Sequence, residues 1–251
     1  LVPKNDEFFG EYVEQRDDRL NYISSFSGSA GCAIILKKSS YLFVDGRYTL
    51  QAKKESNKNF RVIEVHKNKP SKILAKIRTK LKIGFDPKLF SEANLINNFK
   101  TKNTSLIPIK QNLIDKIWLN RPNATIKEFF VLNSKYTGKN YKNKLNLVSK
   151  ILKKRKINKL LITAPENLAW LLNIRGKDSK YSPLPNCHAI LDDKKKITLI
   201  VNKNKINNKF KLHFKNILKY INPLYITKYF DSLNRNEFFL IDKFSCSFFY
   251  K

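Results

Sequence analysis

The sequence contains no methionine, and it has only seven glycines and three cysteines among 251 residues. Cys32, Cys187 and Cys246 are odd in number and far apart, which fits neither a disulfide framework nor a zinc site and predicts reduced cysteines in a cytoplasmic protein. No stretch of about 18 apolar residues is present, so we expect no membrane-spanning helix. The chain starts at Leu1 without a signal-peptide pattern, and we expect an upstream segment before it.

Acidic residues are also scarce, since 20 of them oppose 50 basic residues and leave a net charge of +30. A charge of this sign favours phosphate, so a basic nucleic-acid-binding module is one hypothesis. However, nine of the basic residues are arginine and 41 are lysine, spread along the chain, whereas proteins that read bases favour the bidentate arginine fork. We therefore disfavour nucleic acid as a partner. The hydrophobic share of 42% predicts a globular chain.

Short apolar runs alternate with amphipathic patterns along the whole chain. Helices are predicted from Pro70, from an N-cap at Ser91, over Tyr141–Lys156 and from Pro165, and Leu20–Ser25 is predicted to be a short helix or loop before the first hairpin. The predicted strands are Ala33–Leu36, Tyr41–Val44, Arg61–Val65, Ile83–Phe85, Leu106–Ile109, Leu160–Thr163, Ala189–Leu191, Ile197–Val201 and Phe238–Ile241. This alternation predicts an α/β fold.

The two halves of the chain resemble each other, which predicts a structural repeat. Leu20 and Gly28 are eight positions apart, as are Leu168 and Gly176. The run Cys32–Leu36 matches Cys187–Leu191 after an insertion, and Tyr41–Val44 matches Thr198–Val201. We place the join near Asn120-Arg121-Pro122, which predicts two domains of similar topology at 1–120 and 121–251.

Two longer stretches carry a family resemblance. Arg19–Ala52 reads RLNYISSFSGSAGCAIILKKSSYLFVDGRYTLQA, and Asn167–Asp178 reads NLAWLLNIRGKD. In this order they resemble the Xaa-Pro aminopeptidases (aminopeptidase P) of the creatinase/prolidase superfamily. The resemblance implies two tandem creatinase N-terminal-like domains, each a mixed β-sheet flanked by helices. It also implies a parent metallopeptidase that releases the first residue of peptides with proline in second position.

The resemblance has further implications for cofactors and partners. In this family two divalent metal ions, usually manganese, lie in a C-terminal catalytic domain that this chain lacks. The N-terminal domains would form one wall of the substrate cleft. The implied partners are a proline-containing peptide, the catalytic domain and a second subunit in a homodimer. A stand-alone creatinase-like binding or scaffold protein remains an alternative, and the nucleic-acid-binding module is a weaker one.

The motif Asp45-Gly46-Arg47-Tyr48 is the candidate site, because the second half has Asn202-Lys203-Asn204-Lys205 in its place. We expect Gly46 to permit a bend that a residue with a Cβ resists, and Asp45 to orient the guanidinium of Arg47. A structural Asp-Arg pair is the plain alternative. The resemblance implies instead that Arg47 contacts substrate, with Asp45, Gly46 and Tyr48 in support.

We assign structural roles to the other residues that could take part in binding or catalysis. Ser27–Gly31 lacks the Gly-Lys-Ser/Thr ending of a phosphate loop and is predicted to be a tight connection. In Arg175-Gly176-Lys177-Asp178 we expect an Arg-Asp pair that braces a loop or an interface. The three histidines, His66, His188 and His213, stand alone, so we predict no catalytic residue and no metal site in this chain.

Overall fold

A computed structural model describes residues 1–234 and 236–251 of the chain. It divides into two compact units, the first formed by Leu1–Ala124 with Ser247–Lys251 and the second by Thr125–Cys246. The last five residues thus belong to the first unit, although the sequence assigned them to the second half. The family-domain division at 120/121 stays a prediction. In the described part of the chain, no helix combines the length and apolar character needed to cross a membrane.

The first unit interleaves short strands with short helices. Its strands are β1 (Val2–Pro3), β2 (Gly31–Ile35), β3 (Ser40–Val44), β4 (Phe60–Glu64), β5 (Leu81–Phe85) and β6 (Thr104–Pro108). Its helices are α1 (Arg19–Ser24), α2 (Thr49–Glu55), α3 (Pro70–Ala75), α4 (Glu92–Phe99) and α5 (Leu113–Ile117). Pro70 begins α3 and Ser91 caps α4 by accepting the Asn94 N–H, as predicted.

A four-stranded mixed sheet organises the first unit in the order β1-β2-β3-β4. The first two pairings are antiparallel and β3–β4 is parallel. Because side chains alternate across a strand, neighbouring residues serve opposite faces: Phe43 packs with Ile34 on one side, while Leu42 and Val44 pack with Leu20 on the other. Both faces are therefore covered, which explains the continuous apolar runs of these strands.

The second unit repeats the interleaving of strands and helices. Its strands are β7 (Phe130–Val131), β8 (Lys159–Ile162), β9 (Ile174–Arg175), β10 (His188–Asp192), β11 (Ile197–Ile200), β12 (Leu218–Ile221) and β13 (Phe239–Leu240). Its helices are α6 (Ser134–Thr137), α7 (Tyr141–Lys154), α8 (Pro165–Leu172), α9 (Asn208–His213) and α10 (Ile226–Asp231). The long helix α7 packs its apolar face, including Leu145 and Leu152, into one large core.

Strand order confirms the predicted repeat. The second sheet runs β12-β11-β10-β8-β13, with β8–β10 and β10–β11 antiparallel and β11–β12 parallel. The series β8-β10-β11-β12 therefore has the order and sense of β1-β2-β3-β4. These two larger sheets are mixed and lie among helices, which confirms the predicted α/β class. Two further pairs are smaller, since β5–β6 is parallel and β7–β9 is antiparallel.

The predicted alignment of β2 in the first unit with β10 in the second is wrong by one residue. The ladder places Ala33 opposite Leu42 and Ala189 opposite Leu199. Ala33 therefore corresponds to Ala189, and Cys32 does not correspond to Cys187. Two cysteines at the strand start suggested the wrong register, whereas the alternation of buried faces sets the true one.

Candidate functional site: the turn after the second hairpin strand

The candidate motif forms a single tight turn between β3 and α2. Asp45 caps the turn, because its Oδ1 accepts the backbone N–H of Arg47 at 3.0 Å. Gly46–Tyr48 form one turn of 3-10 helix, and α2 starts at Thr49. The motif thus lies at the carboxyl end of a strand, where α/β folds commonly place ligand contacts.

The Nε atom of Arg47 is hydrogen-bonded, whereas most of the side chain is exposed. Its Nε donates to Asp45 Oδ1 at 2.8 Å, yet 72% of the side chain is exposed. The guanidinium carbon lies 5.4 Å from the centre of the Tyr48 ring. Among residues 1–234 and 236–251, neither terminal guanidinium nitrogen has a hydrogen-bond acceptor. Two planar donors are therefore directed at solvent and available to an oxygen ligand.

The charge state of the pair is fixed over the physiological range. The hydrogen bonds from the Arg47 side chain and backbone lower the pKa of Asp45 to about 2, and the carboxylate in turn raises the pKa of Arg47. Asp45 therefore stays ionised and keeps orienting the guanidinium. His66 approaches the other oxygen, with Nε2 3.6 Å from Asp45 Oδ2, a contact that sequence reasoning missed.

Tyr48 anchors the turn to the preceding loop. Its hydroxyl is 2.8 Å from Ser29 Oγ, and its ring packs edge-on against Phe26. A Cβ at Gly28 would lie 2.3 Å from Phe26 Cζ, so the loop requires a residue without a side chain there. This packing supports the interpretation of Ser27–Gly31 as a tight structural connection.

The expected role of Gly46 in the bend is wrong. Gly46 does not adopt a left-handed conformation, and a Cβ there would be 3.5 Å from Glu64 Oε1, an ordinary contact. In the second unit Lys203 occupies the corresponding position of the same turn, Lys203–Lys205, capped by Asn202. The backbone of the turn therefore does not depend on glycine.

The second unit uses the same turn for a buried ion pair. Lys205 stands where the first unit has Tyr48, and its Nζ lies 2.8 Å from Asp178 Oδ1. Asp178 is only 3% exposed and also accepts the Asn186 N–H. The expected Arg175–Asp178 pair is wrong, because Arg175 donates instead to the carbonyls of Ala169 and Ile174.

The remaining nucleophilic and metal-binding side chains are dispersed. His188 lies buried within β10, and His66 and His213 are in different units. The three cysteines are free thiols, and burial raises the pKa of Cys32 to about 12 and that of Cys246 to about 11. Over the described ranges, no group of three or more His, Cys, Asp or Glu side chains is placed to hold a metal ion.

Two family models match this chain in tandem. Both describe a creatinase/prolidase N-terminal domain, one over residues 12–117 and the other over residues 120–251. The chain belongs to the creatinase/prolidase N-terminal domain family. Its predicted resemblance to Xaa-Pro aminopeptidases is thereby confirmed at the level of these domains.

Relatives with assigned names agree with this membership. The chain is 33% identical over 224 residues to a probable Xaa-Pro aminopeptidase P of Coprinopsis cinerea, covering 83% of this chain and 35% of the relative. It is 33% identical to Xaa-Pro aminopeptidase 1 of Dictyostelium discoideum, covering 84% of this chain and 36% of that protein. The chain thus spans about a third of the length of these relatives.

A solved structure shares the fold. X-prolyl aminopeptidase from Caenorhabditis elegans, described as a cytosolic enzyme with a di-nuclear active site, superposes with a TM-score of 0.83 at 25% identity. The likeness covers 91% of this chain and 38% of that enzyme. The described residues of the present chain supply no ligand set for two metal ions, so they do not fit a di-nuclear centre.

Proposed function

We propose that this chain is the N-terminal, non-catalytic portion of an Xaa-Pro aminopeptidase, a metallopeptidase that releases the first residue of peptides with proline second. The observation that carries the proposal is the tandem pair of creatinase/prolidase N-terminal domains, aligned with relatives that bear this name. Proline makes the scissile bond a tertiary amide with a fixed φ, so its recognition requires a dedicated cleft. The two domains would form one wall of that cleft and support a homodimer in the cytoplasm.

The metal chemistry belongs to a catalytic domain outside this chain. When bound, two divalent ions, for which we expect manganese, supply a hydroxide nucleophile and polarise the scissile carbonyl. The residues described here would contribute binding and orientation only. We expect this chain alone not to cleave Xaa-Pro peptides.

Arg47 is the residue that we assign to substrate contact. Its two terminal nitrogens are exposed and unpaired by the described residues, while Asp45 holds Nε and the Tyr48 ring lies beneath the guanidinium. A buried brace would use those donors within the fold, as Lys205 does with Asp178. The fork suits a peptide carbonyl or carboxylate, which it can bind with two parallel hydrogen bonds.

The test is the kinetics of the full-length enzyme carrying Arg47→Ala, Arg47→Lys or the control Arg61→Ala. Arg61 is also exposed and lies in the same unit. We expect Arg47→Ala to lower kcat/KM for an Xaa-Pro peptide roughly ten- to a hundredfold, since hydrogen bonds to charged groups have about that effect. Arg47→Lys should recover part of the loss, because a point charge lacks the planar fork.

The melting temperature distinguishes a substrate contact by Arg47 from a purely structural role. It should move by less than about 2 °C in Arg47→Ala, because exposed ion pairs contribute little stability. Arg61→Ala should match the unmodified enzyme in both measurements. Unchanged kinetics together with a large fall in melting temperature would contradict the assignment of Arg47.

A further inference from the structure

A second concave site lies in the second unit, away from the turn at Asn202–Lys205. It is a cavity of about 290 Å³ formed by the start of α7, the β10–β11 turn and the approach to β12. Eight residues line it: Lys142, Leu145, Asn146, Lys194, Lys195, Lys196, Asn216 and Ile217. Half of them are lysines and none is acidic.

The backbone holds this lysine cluster in a defined shape. Asp192 Oδ1 accepts the backbone N–H groups of Lys194 at 2.9 Å and Lys196 at 2.8 Å, which closes the hairpin turn. Lys196 Nζ donates to Asn216 O at 2.7 Å and joins the turn to the far rim. Asp192 is thus engaged in shaping the turn, while the cavity itself is lined by cations.

The four ammonium groups outnumber the two carboxylates of the same turn, Asp192 and Asp193. Within residues 1–234 and 236–251, none of the lining lysines forms an ion pair. Lys142 also acts on a group outside the lining, since burial and then the charge of Lys142 lower the pKa of His213. Four like charges around a concave surface focus a positive potential into it, and a bound anion relieves their mutual repulsion.

We propose that this lysine cavity binds a small oligophosphate, that is, a compact anion with two or more linked phosphate groups. Several cations around one cavity suit several negative charges rather than one. The volume is at the lower end of the range for small-molecule sites, which favours a compact ligand over a macromolecule. No aromatic side chain and no arginine lines it, so it lacks the stacking surfaces on which proteins bind single-stranded nucleic acids.

The test is a titration of the whole chain with inorganic tripolyphosphate by isothermal calorimetry, at low and at physiological salt. We expect saturable binding that weakens as salt screens the charges. Lys142→Ala/Lys194→Ala should reduce the affinity at least tenfold. The matched control is Lys153→Ala/Lys154→Ala, two exposed lysines at the other end of the same helix α7, which removes the same charge and should change the affinity less than threefold.

Two further probes separate this site from general charge attraction. Orthophosphate should bind at least tenfold more weakly than tripolyphosphate, because it engages fewer of the lysines. A single-stranded DNA oligonucleotide should bind no more tightly than tripolyphosphate. The proposal would be overturned if tripolyphosphate did not bind, or if the cavity and control variants lost affinity equally. It would also be overturned if DNA bound more tightly than tripolyphosphate and its affinity were the same in the cavity variant. Circular dichroism of each variant confirms that the fold is retained.

Discussion

The turn after the second hairpin strand has one backbone and two sets of side chains in the two units. In the first unit Asp45 caps it, Tyr48 reaches Ser29, and Arg47 extends into solvent. In the second unit Asn202 caps it, and Lys205 forms an ion pair with Asp178, a carboxylate that is almost fully buried. The contrast teaches that the repeat specifies the scaffold, while the chemistry depends on which side chains the scaffold presents.

The largest expected effect on stability comes from a position that is glycine in both units, Gly28 in the first and Gly176 in the second. A Cβ at Gly176 would lie 2.6 Å from Leu184 O and 2.8 Å from Pro185 Cα, two backbone atoms that cannot rotate away. We expect Gly176→Ala to lower the free energy of unfolding by about 3 kcal/mol, the upper range for overpacking. Urea unfolding of the variant measures this difference.

Gly46→Ala is the control for that substitution, since its new Cβ would make only an ordinary contact. We expect a change below about 0.5 kcal/mol, as for other surface substitutions. If Gly46→Ala were as damaging as Gly176→Ala, the turn would need glycine after all, and the equivalence with Lys203 would be wrong.

A smaller effect on stability is expected at the left-handed residues that follow α1 and α8. Ser25 has φ 65° and Asn173 has φ 56° at equivalent positions. Asn173 accepts a hydrogen bond from the buried Lys144 Nζ at 2.6 Å and donates to Lys139 O at 2.9 Å. We expect Asn173→Gly to destabilise by about 2 kcal/mol, because the lysine loses a buried partner.

At the equivalent site in the first unit, substitution should have the opposite sign. The exposed Ser25 carries the cost of a left-handed conformation, which glycine avoids. Ser25→Gly should therefore stabilise the chain by about 0.5–1 kcal/mol in thermal or urea unfolding. A loss of stability in Ser25→Gly would show that its side chain has a structural role that Asn173 shares.

Much of the scaffold could be predicted because its signals are local. Pro70 begins a helix through its fixed φ, and Ser91 caps one through its hydroxyl. The short apolar runs form strands of the two larger sheets and of the β5–β6 pair. The predicted match of Cys32 with Cys187 is wrong because two residues of the same type lie at non-equivalent positions, whereas the ladders make Ala33 equivalent to Ala189.

The contacts of the candidate site could be predicted only in part. Asp45 and Arg47 are two residues apart, so their pairing follows from the motif itself. The contacts of Asp45 with His66, of Tyr48 with Ser29 and of Asp178 with Lys205 join residues from separate elements. They depend on tertiary packing, for which a single sequence carries no signal.

Urea unfolding of Arg47→Ala beside Lys205→Ala tests most directly the claim that one turn serves contact in the first unit and structure in the second. Lys205→Ala leaves the buried Asp178 carboxylate without its cation, so we expect a loss of about 2–3 kcal/mol. Arg47→Ala removes free donors and one exposed ion pair with Asp45, so its unfolding midpoint should shift far less than that of Lys205→Ala. Equal destabilisation by both substitutions, or a larger one by Arg47→Ala, would contradict the account.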